Sequence, residues 1–97
     1  MEAGDVRSYC EAHGKAVVDG DQAHIMADVA PEALAGLAPV GAALPQPVRS
    51  AQVDQIDLAG DKAVVRITYT GESGAVTVES QWEERDGRPK IVAASVV

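Results

Sequence analysis

The sequence predicts an α+β domain in which N-terminal helices pack on the concave face of a curved, mainly antiparallel four-stranded sheet. Apolar residues recur at the three-and-four spacing of helices in the first half of the chain, and alternate as in strands after Val48. Short turn sequences separate four strand-like runs in the second half, as in a meander of hairpins. Helices covering one apolar face of such a sheet give a layered α+β domain, which we expect to span residues 1–97.

The charge of the chain disfavours several classes of partner. Eight Lys and Arg residues stand against fifteen Asp and Glu residues, for a formal net charge of -7. Nucleic acids and anionic membrane surfaces attract clustered basic residues, so we expect neither as a partner. The chain has neither an N-terminal apolar stretch of signal-peptide length nor eighteen consecutive apolar residues, which predicts a soluble cytoplasmic protein.

Three helices are expected before residue 45. The first is predicted over residues 5–19, with Asp5 as its N-cap and Gly20 at its end. Asp21 is expected to cap a second helix. A third helix should begin at Pro31 and stop at Pro39. The predicted apolar side of the first helix comprises Val6, Tyr9, Cys10, His13, Ala16 and Val17, and that of the second comprises Ile25, Met26 and Val29.

The sequence offers little support for a metal or another cofactor. The Asp19-Gly20-Asp21 step is similar to the start of a calcium loop, but the twelfth position, where such a loop needs a glutamate, is Ala30. His24 and Asp28 are four residues apart on the second predicted helix, and we interpret them as a solvated pair. One cysteine and two histidines are too few for a structural zinc site, so we expect no metal and no cofactor.

Four strands are predicted over residues 48–58, 62–70, 75–85 and 90–97, and the Asp86-Gly87 step indicates a short hairpin between the last two. In the first strand Val53 is out of step with Ile56 and Leu58, which indicates a bulge near Asp54. Alternation places one set of side chains on the covered face of the second and third strands: Ala63, Val65, Ile67, Tyr69, Val76, Val78, Ser80 and Trp82.

Two stretches, "VVDGDQAHIMADVAPEAL" and "SQWEERDGRPKIV", together with the order of the elements, resemble the NTF2-like (cystatin-like) superfamily, which includes the ketosteroid isomerase and SnoaL-like families. The resemblance covers nearly the whole chain and implies a cone-shaped domain with a cavity between the first helix and the sheet. The inward positions that it implies, as a candidate ligand-binding set, are Tyr9, Cys10, His13, Val17, Val65, Ile67, Tyr69, Val78, Ser80 and Trp82.

The resemblance does not extend to the catalytic residues of the isomerases. In that family a tyrosine on the first helix and an acid on a central strand act with an aspartate base. By position, His13 stands in the place of the tyrosine and Ser80 in that of the acid. The segment that would carry the base, "LAGLAPVGAALPQP", has no carboxylate. Cys10 is a weak nucleophile candidate, because its neighbour Glu11 would raise rather than lower the pKa of a thiol.

Three functions stay open at this point. The first is a non-enzymatic module that binds a small apolar ligand in a cavity bordered by Trp82, or that forms a homodimer. The second is a pocket enzyme, an isomerase, dehydratase or hydrolase, with His13 and Tyr9 as catalytic candidates, and the third is a scaffold for a protein partner. The homodimer would form through the second face of the sheet, with Val64, Thr68, Thr77 and either Val92 or Val96.

Overall fold

The structure, a computed structural model, describes residues 2–97. Its helical part consists of α1 (Ala3–Asp19), α2 (Gln22–Ala27), a 3-10 helix (Pro31–Leu37) and α3 (Ala38–Ala43). The strands that follow are β1 (Val48–Ala59), β2 (Lys62–Gly71), β3 (Gly74–Arg85) and β4 (Arg88–Val96). They form one antiparallel sheet in the order β1-β2-β3-β4, with α1 packed chiefly on β1 and the 3-10 helix on β4. The predicted α+β fold class is confirmed.

The signals at the end of α1 act as predicted. Gly20 adopts a left-handed conformation with φ 71°, and its N–H donates to the carbonyl of Val17. The Asp21 side chain then accepts a hydrogen bond from the His24 N–H and caps α2. The start of α1 differs, because Glu2 occupies the N-cap position. Asp5 lies inside the first turn, where its negative charge faces the positive end of the helix dipole.

Helix α2 is shorter than the spacing predicted, and this changes the position of the residues that follow it. It ends at Ala27, and Val29 forms an isolated parallel bridge with Ile91 of β4 instead of lying on the helix. The Ile91 N–H donates to the Asp28 carbonyl at 2.7 Å, and the Ala30 N–H donates to the Ile91 carbonyl at 2.9 Å. Three residues after α2 therefore belong to the edge of the sheet, because backbone pairing there outweighs the local helical pattern.

The third predicted helix is split in two. Pro31 begins a 3-10 helix, as its fixed φ favours. Pro39 does not stop a helix, which corrects the prediction. It is the second residue of α3, where the backbone nitrogen has no intrahelical acceptor, so a proline costs no hydrogen bond.

The sheet buries the face that alternation predicted. On β2 and β3 the buried residues are Ala63, Val65, Ile67, Tyr69, Val78, Ser80 and Trp82. The bulge near Asp54 is confirmed, since Val53 pairs with Ile67 whereas Gln55 pairs with Arg66. Asp54 is therefore the extra residue, which brings both Val53 and Ile56 to the covered face despite their odd spacing.

Two further irregularities were not predicted from the sequence: one in β1 between Val48 and Ser50, and one in β4. Trp82 pairs with Ile91 and Gln81 pairs with Ala93, which leaves Val92 as the extra residue. Ile91 and Ala94 thereby both reach the covered face, and Ala94 stands opposite Ser80. Bulges of this kind bend the strands that contain them.

The open face of the sheet is mostly polar. Arg66 forms an ion pair with Glu79 at 3.1 Å, and the hydroxyls of Thr68 and Thr77 lie 2.9 Å apart. Val64, 36% exposed, adds an apolar side chain to this face. A homodimer through this face stays a prediction.

Close packing of α1 on β1 depends on Gly14. A Cβ atom at this position would lie 2.9 Å from the Cβ of Ala51, whereas a Cβ at Gly4 of the same helix would meet nothing within 4 Å. Both Gly→Ala substitutions gain helix propensity, but Gly14→Ala also forces α1 away from β1. We expect Gly14→Ala to be less stable than Gly4→Ala by about 1–3 kcal/mol in urea unfolding. Equal free energies of unfolding for the two variants would contradict this packing.

Candidate functional site

A cavity of about 470 Å³ lies between the helices and the covered face of the sheet. This volume falls within the range of small-molecule sites. Its sheet wall consists of Ile67, Tyr69, Val78, Ser80, Ile91 and Ala94. Its helical wall and mouth consist of His13, Val17, Gly20, Gln22, Ile25, Met26, Leu34, Leu37, Ala38, Val40, Gly41, Leu44 and Gln46. Most of these side chains are apolar, so the cavity suits an apolar molecule.

Six of the ten residues expected at an inner cavity border it: His13, Val17, Ile67, Tyr69, Val78 and Ser80. Cys10, Val65 and Trp82 are fully buried in the core instead, and Tyr9 lies at a different cavity. Trp82 nevertheless contacts the cavity wall, because its ring meets that of His13 edge to face with centroids 5.7 Å apart. The structure therefore brings the histidine and the strand residues together, but not the tyrosine of α1.

His13 is held by a buried carboxylate. The His13 Nδ1 lies 2.8 Å from Oδ2 of Asp28, a residue that is only 1% exposed. The other carboxylate oxygen, Oδ1, accepts a hydrogen bond from Nη2 of Arg88. Burial favours the protonated form of Asp28, but the hydrogen bonds from His13 and Arg88, together with the charge interactions with the same two residues, more than offset it and hold the pKa of Asp28 below its usual value. Asp28 is thus an ionised acceptor behind the imidazole.

The carboxylate reaches this position through the turn at the end of α2 and the hairpin before β4. Asp28 is the C-cap of α2, and its backbone is tied to Ile91. The hairpin turn uses Asp86 and Gly87, both with positive φ, as the Asp-Gly step predicted. Arg88 follows directly, and its guanidinium carbon also lies 4.8 Å from the ring centroid of Tyr9. Segments far apart in sequence therefore meet at one carboxylate.

Apart from the amides of Gln22 and Gln46, two polar side-chain atoms of the cavity wall have no protein partner among residues 2–97. His13 uses Nδ1 for Asp28, which leaves Nε2, and the Tyr69 hydroxyl makes no hydrogen bond. Every fully buried side-chain nitrogen or oxygen in this part of the chain has a partner, so both atoms must be accessible, and both residues border the cavity. Burial raises the pKa of Tyr69 above its usual value, so its hydroxyl is a neutral donor.

Ser80 holds the indole of Trp82 in place by a hydrogen bond. Its hydroxyl accepts a hydrogen bond from the indole N–H of Trp82 at 2.9 Å and lies 3.5 Å from the carbonyl of Val65. These bonds fix the indole, whose ring in turn supports His13.

A second cavity, of about 580 Å³, lies where α1, α2 and the start of β4 meet. It is bordered by Ser8, Tyr9, Ala12, Asp21, Ala23, His24, Ala27, Asp28 and Arg88. The predicted solvated pair of His24 and Asp28 is wrong, because Asp28 is buried. The His24 Nε2 still lies 3.6 Å from Oδ2 of Asp28, so His24 stands on the outer side of the same carboxylate.

Cys10 is inert. Burial, followed by the negative charges of Asp28 and Glu11, raises the pKa of its thiol to about 12. A thiol that stays protonated at neutral pH is a poor nucleophile. Sequence reasoning missed Asp28 and Arg88, since neither carries a local signal: the first has ordinary helical spacing and the second follows a turn.

Within residues 2–97, no three His, Cys, Asp or Glu side chains are grouped closely enough to hold a metal ion. The helices of this same part of the chain are all too short or too polar to cross a membrane.

Asp28→Asn should test the buried carboxylate. At about pH 7 we expect the substitution to lower the free energy of unfolding by about 3 kcal/mol, because Arg88 and His13 lose a charged acceptor inside the protein. Since the pKa of Asp28 is lowered in the folded state, its stabilisation is present above the pKa of an unfolded aspartate and is lost as the pH falls through the lower folded value. The difference between wild type and variant should therefore shrink in acid.

Urea unfolding across this pH range measures both quantities. Asp19→Asn is the matched control, because Asp19 bonds Lys15 on the exposed surface of α1 and should have little effect. A difference between wild type and Asp28→Asn that does not change in acid would contradict the ionised state of the carboxylate.

Comparison of the chain with protein-family models and with curated protein sequences found no match. The architecture, a small α+β domain with N-terminal helices on a four-stranded antiparallel sheet, is compatible with the NTF2-like fold.

Proposed function

We propose that this domain binds a small, mostly apolar molecule in the cavity between its helices and its sheet. The observation that carries this proposal is the make-up of the wall, in which apolar side chains surround the uncommitted His13 Nε2 and Tyr69 hydroxyl. A mostly apolar pocket with a few convergent polar groups is the usual composition of a small-molecule site. The apolar part of a ligand would gain from burial, while the two polar atoms would orient it.

We also propose that the domain is a member of the NTF2-like superfamily. The bent antiparallel sheet with helices on one face supports this assignment, as does the Gly20-Asp21 step that ends α1 and caps α2. Fold membership by itself assigns no activity, because one fold hosts many functions.

A second candidate function, proton transfer at carbon, is favoured by the geometry of His13. A carboxylate bonded to one imidazole nitrogen orients the ring and makes the other nitrogen a better base. With Nδ1 on Asp28, Nε2 would take a proton from a carbon next to a ligand carbonyl. The electron pair would move to the carbonyl oxygen, which the Tyr69 hydroxyl could stabilise by donating a hydrogen bond. Tyr9 takes no part, because it borders the other cavity.

Filling the cavity should weaken ligand binding. Ala94 borders the cavity and Ala93 pairs on the opposite face of the sheet, so Ala94→Leu and Ala93→Leu differ only in the side on which the larger side chain stands. Titration with 1-octanol, followed by the emission of the single tryptophan, should show saturable binding by the wild type and Ala93→Leu. Ala94→Leu should bind at least about tenfold more weakly without loss of thermal stability, because it occupies empty space. Equal binding by the two variants would exclude this cavity.

Proton abstraction can be measured with cyclohexanone in D₂O, by following loss of its α-hydrogen NMR signals. If the second function holds, the wild type should accelerate exchange above buffer and His13→Gln should lower the rate about a hundredfold, because glutamine can bond Asp28 but is not a base. His24→Gln, outside the cavity, should keep the rate. Exchange by the wild type no faster than in buffer would contradict catalysis while leaving ligand binding intact.

A further inference from the structure

We infer that the cavity takes its ligand polar end first, and that this end is the uncharged hydroxyl of an aliphatic alcohol or phenol. The inference rests on the proposed ligand binding and adds the chemical class of the ligand. It depends on which hydrogen-bonding atoms the wall leaves open, on the charge of the cluster behind them and on where the wall meets solvent.

The open atoms require one donor and one acceptor from the ligand. Asp28 is ionised and accepts from both Nδ1 of His13 and the guanidinium of Arg88. The charge of Arg88 already balances that of the carboxylate, so a neutral imidazole, with its proton on Nδ1, leaves the cluster without net charge in an apolar wall. The His13 Nε2 is then an acceptor. The Tyr69 hydroxyl, which has no partner in residues 2–97, is a donor.

Among small head groups, a hydroxyl satisfies both atoms. It donates to Nε2 of His13 and accepts from Tyr69. A carboxylate cannot donate to Nε2 and brings a second negative charge near Asp28. An ammonium cannot accept from Tyr69, a ketone leaves Nε2 without a donor, and a hydrocarbon satisfies neither atom. Each mismatch leaves a buried polar group unpaired, which costs affinity.

The exposed fractions of the wall residues indicate how the ligand is oriented in the cavity. His13 and Tyr69 are 8% and 4% exposed, so the two open polar atoms belong to the least exposed part of the wall. Met26 and Leu34, also on the wall, are 49% and 38% exposed. Large exposed apolar side chains at a cavity mouth would be covered by the apolar part of the ligand, with Gln22 and Gln46 as polar rim residues beside them.

The test is a matched series of eight-carbon compounds: 1-octanol, octane, 2-octanone, octanoate and octylamine. Binding is followed by Trp82 emission and, independently, by saturation-transfer NMR of the ligand. We expect 1-octanol to bind the wild type at least about tenfold more tightly than each of the others. Tyr69→Phe should weaken 1-octanol about tenfold and leave octane unchanged, because only the alcohol loses a hydrogen bond. Ala93→Leu, on the opposite face of the sheet, should match the wild type.

The outcomes separate this inference from the function on which it rests. Equal affinity for all five compounds, or an unchanged 1-octanol affinity in Tyr69→Phe, would overturn the hydroxyl assignment and leave a cavity that binds apolar molecules. Tightest binding of octanoate would overturn it too, and would indicate a cationic His13. If neither method detects any of the five compounds, the proposed binding function itself fails. Circular dichroism of each variant confirms that it is folded before its affinity is compared.

Discussion

The carboxylate of Asp28 is the interaction on which this structure depends. An isolated carboxylate inside a protein is unfavourable by several kcal/mol, so its burial requires nearby hydrogen-bond donors and positive charge. His13 from α1 and Arg88 from the start of β4 supply them, while the Asp28 backbone pairs with Ile91. One residue thereby joins the first helix, the end of α2 and the last strand.

The same carboxylate links stability to the site. Because Nδ1 of His13 faces Asp28, Nε2 is the nitrogen left for the cavity. The ring is further held edge to face by Trp82, whose indole is fixed by Ser80. Several small residues border the space in front of it. Phenylalanine is absent from the chain, and Ala38, Gly41 and Ala94 form part of the wall. The core is closely packed around Trp82 and leaves a cavity beside it.

The sequence predicted the features that neighbouring residues determine. Gly20 and Asp21 end one helix and cap the next because both act within a few residues, and alternation along β2 and β3 follows from the pleat of a strand. The Asp54 bulge was visible because it breaks that alternation. The end of α2 was not, since it is set by pairing of Val29 with Ile91, far along the chain. The Val92 bulge was not either, because it depends on the register between β3 and β4. Helical spacing therefore suggested a solvated Asp28, where tertiary contacts bury it.

The sequence predicted Tyr9 at the same cavity as His13, whereas the structure places it at the second cavity. This difference shows what helix periodicity alone can predict. An amphipathic pattern identifies the buried face of α1, and Val6, Cys10 and His13 do lie on it. It cannot show that this face is divided between two cavities. Tyr9 is one residue, about 100° of helical rotation, away from Cys10. Its ring packs against the guanidinium of Arg88 at the second cavity. His13 stands in the wall between, with Nδ1 toward Asp28 and Nε2 toward the inner cavity. Arg88, which borders the second cavity, thus helps to hold the carboxylate that determines which nitrogen of His13 is left for the first cavity.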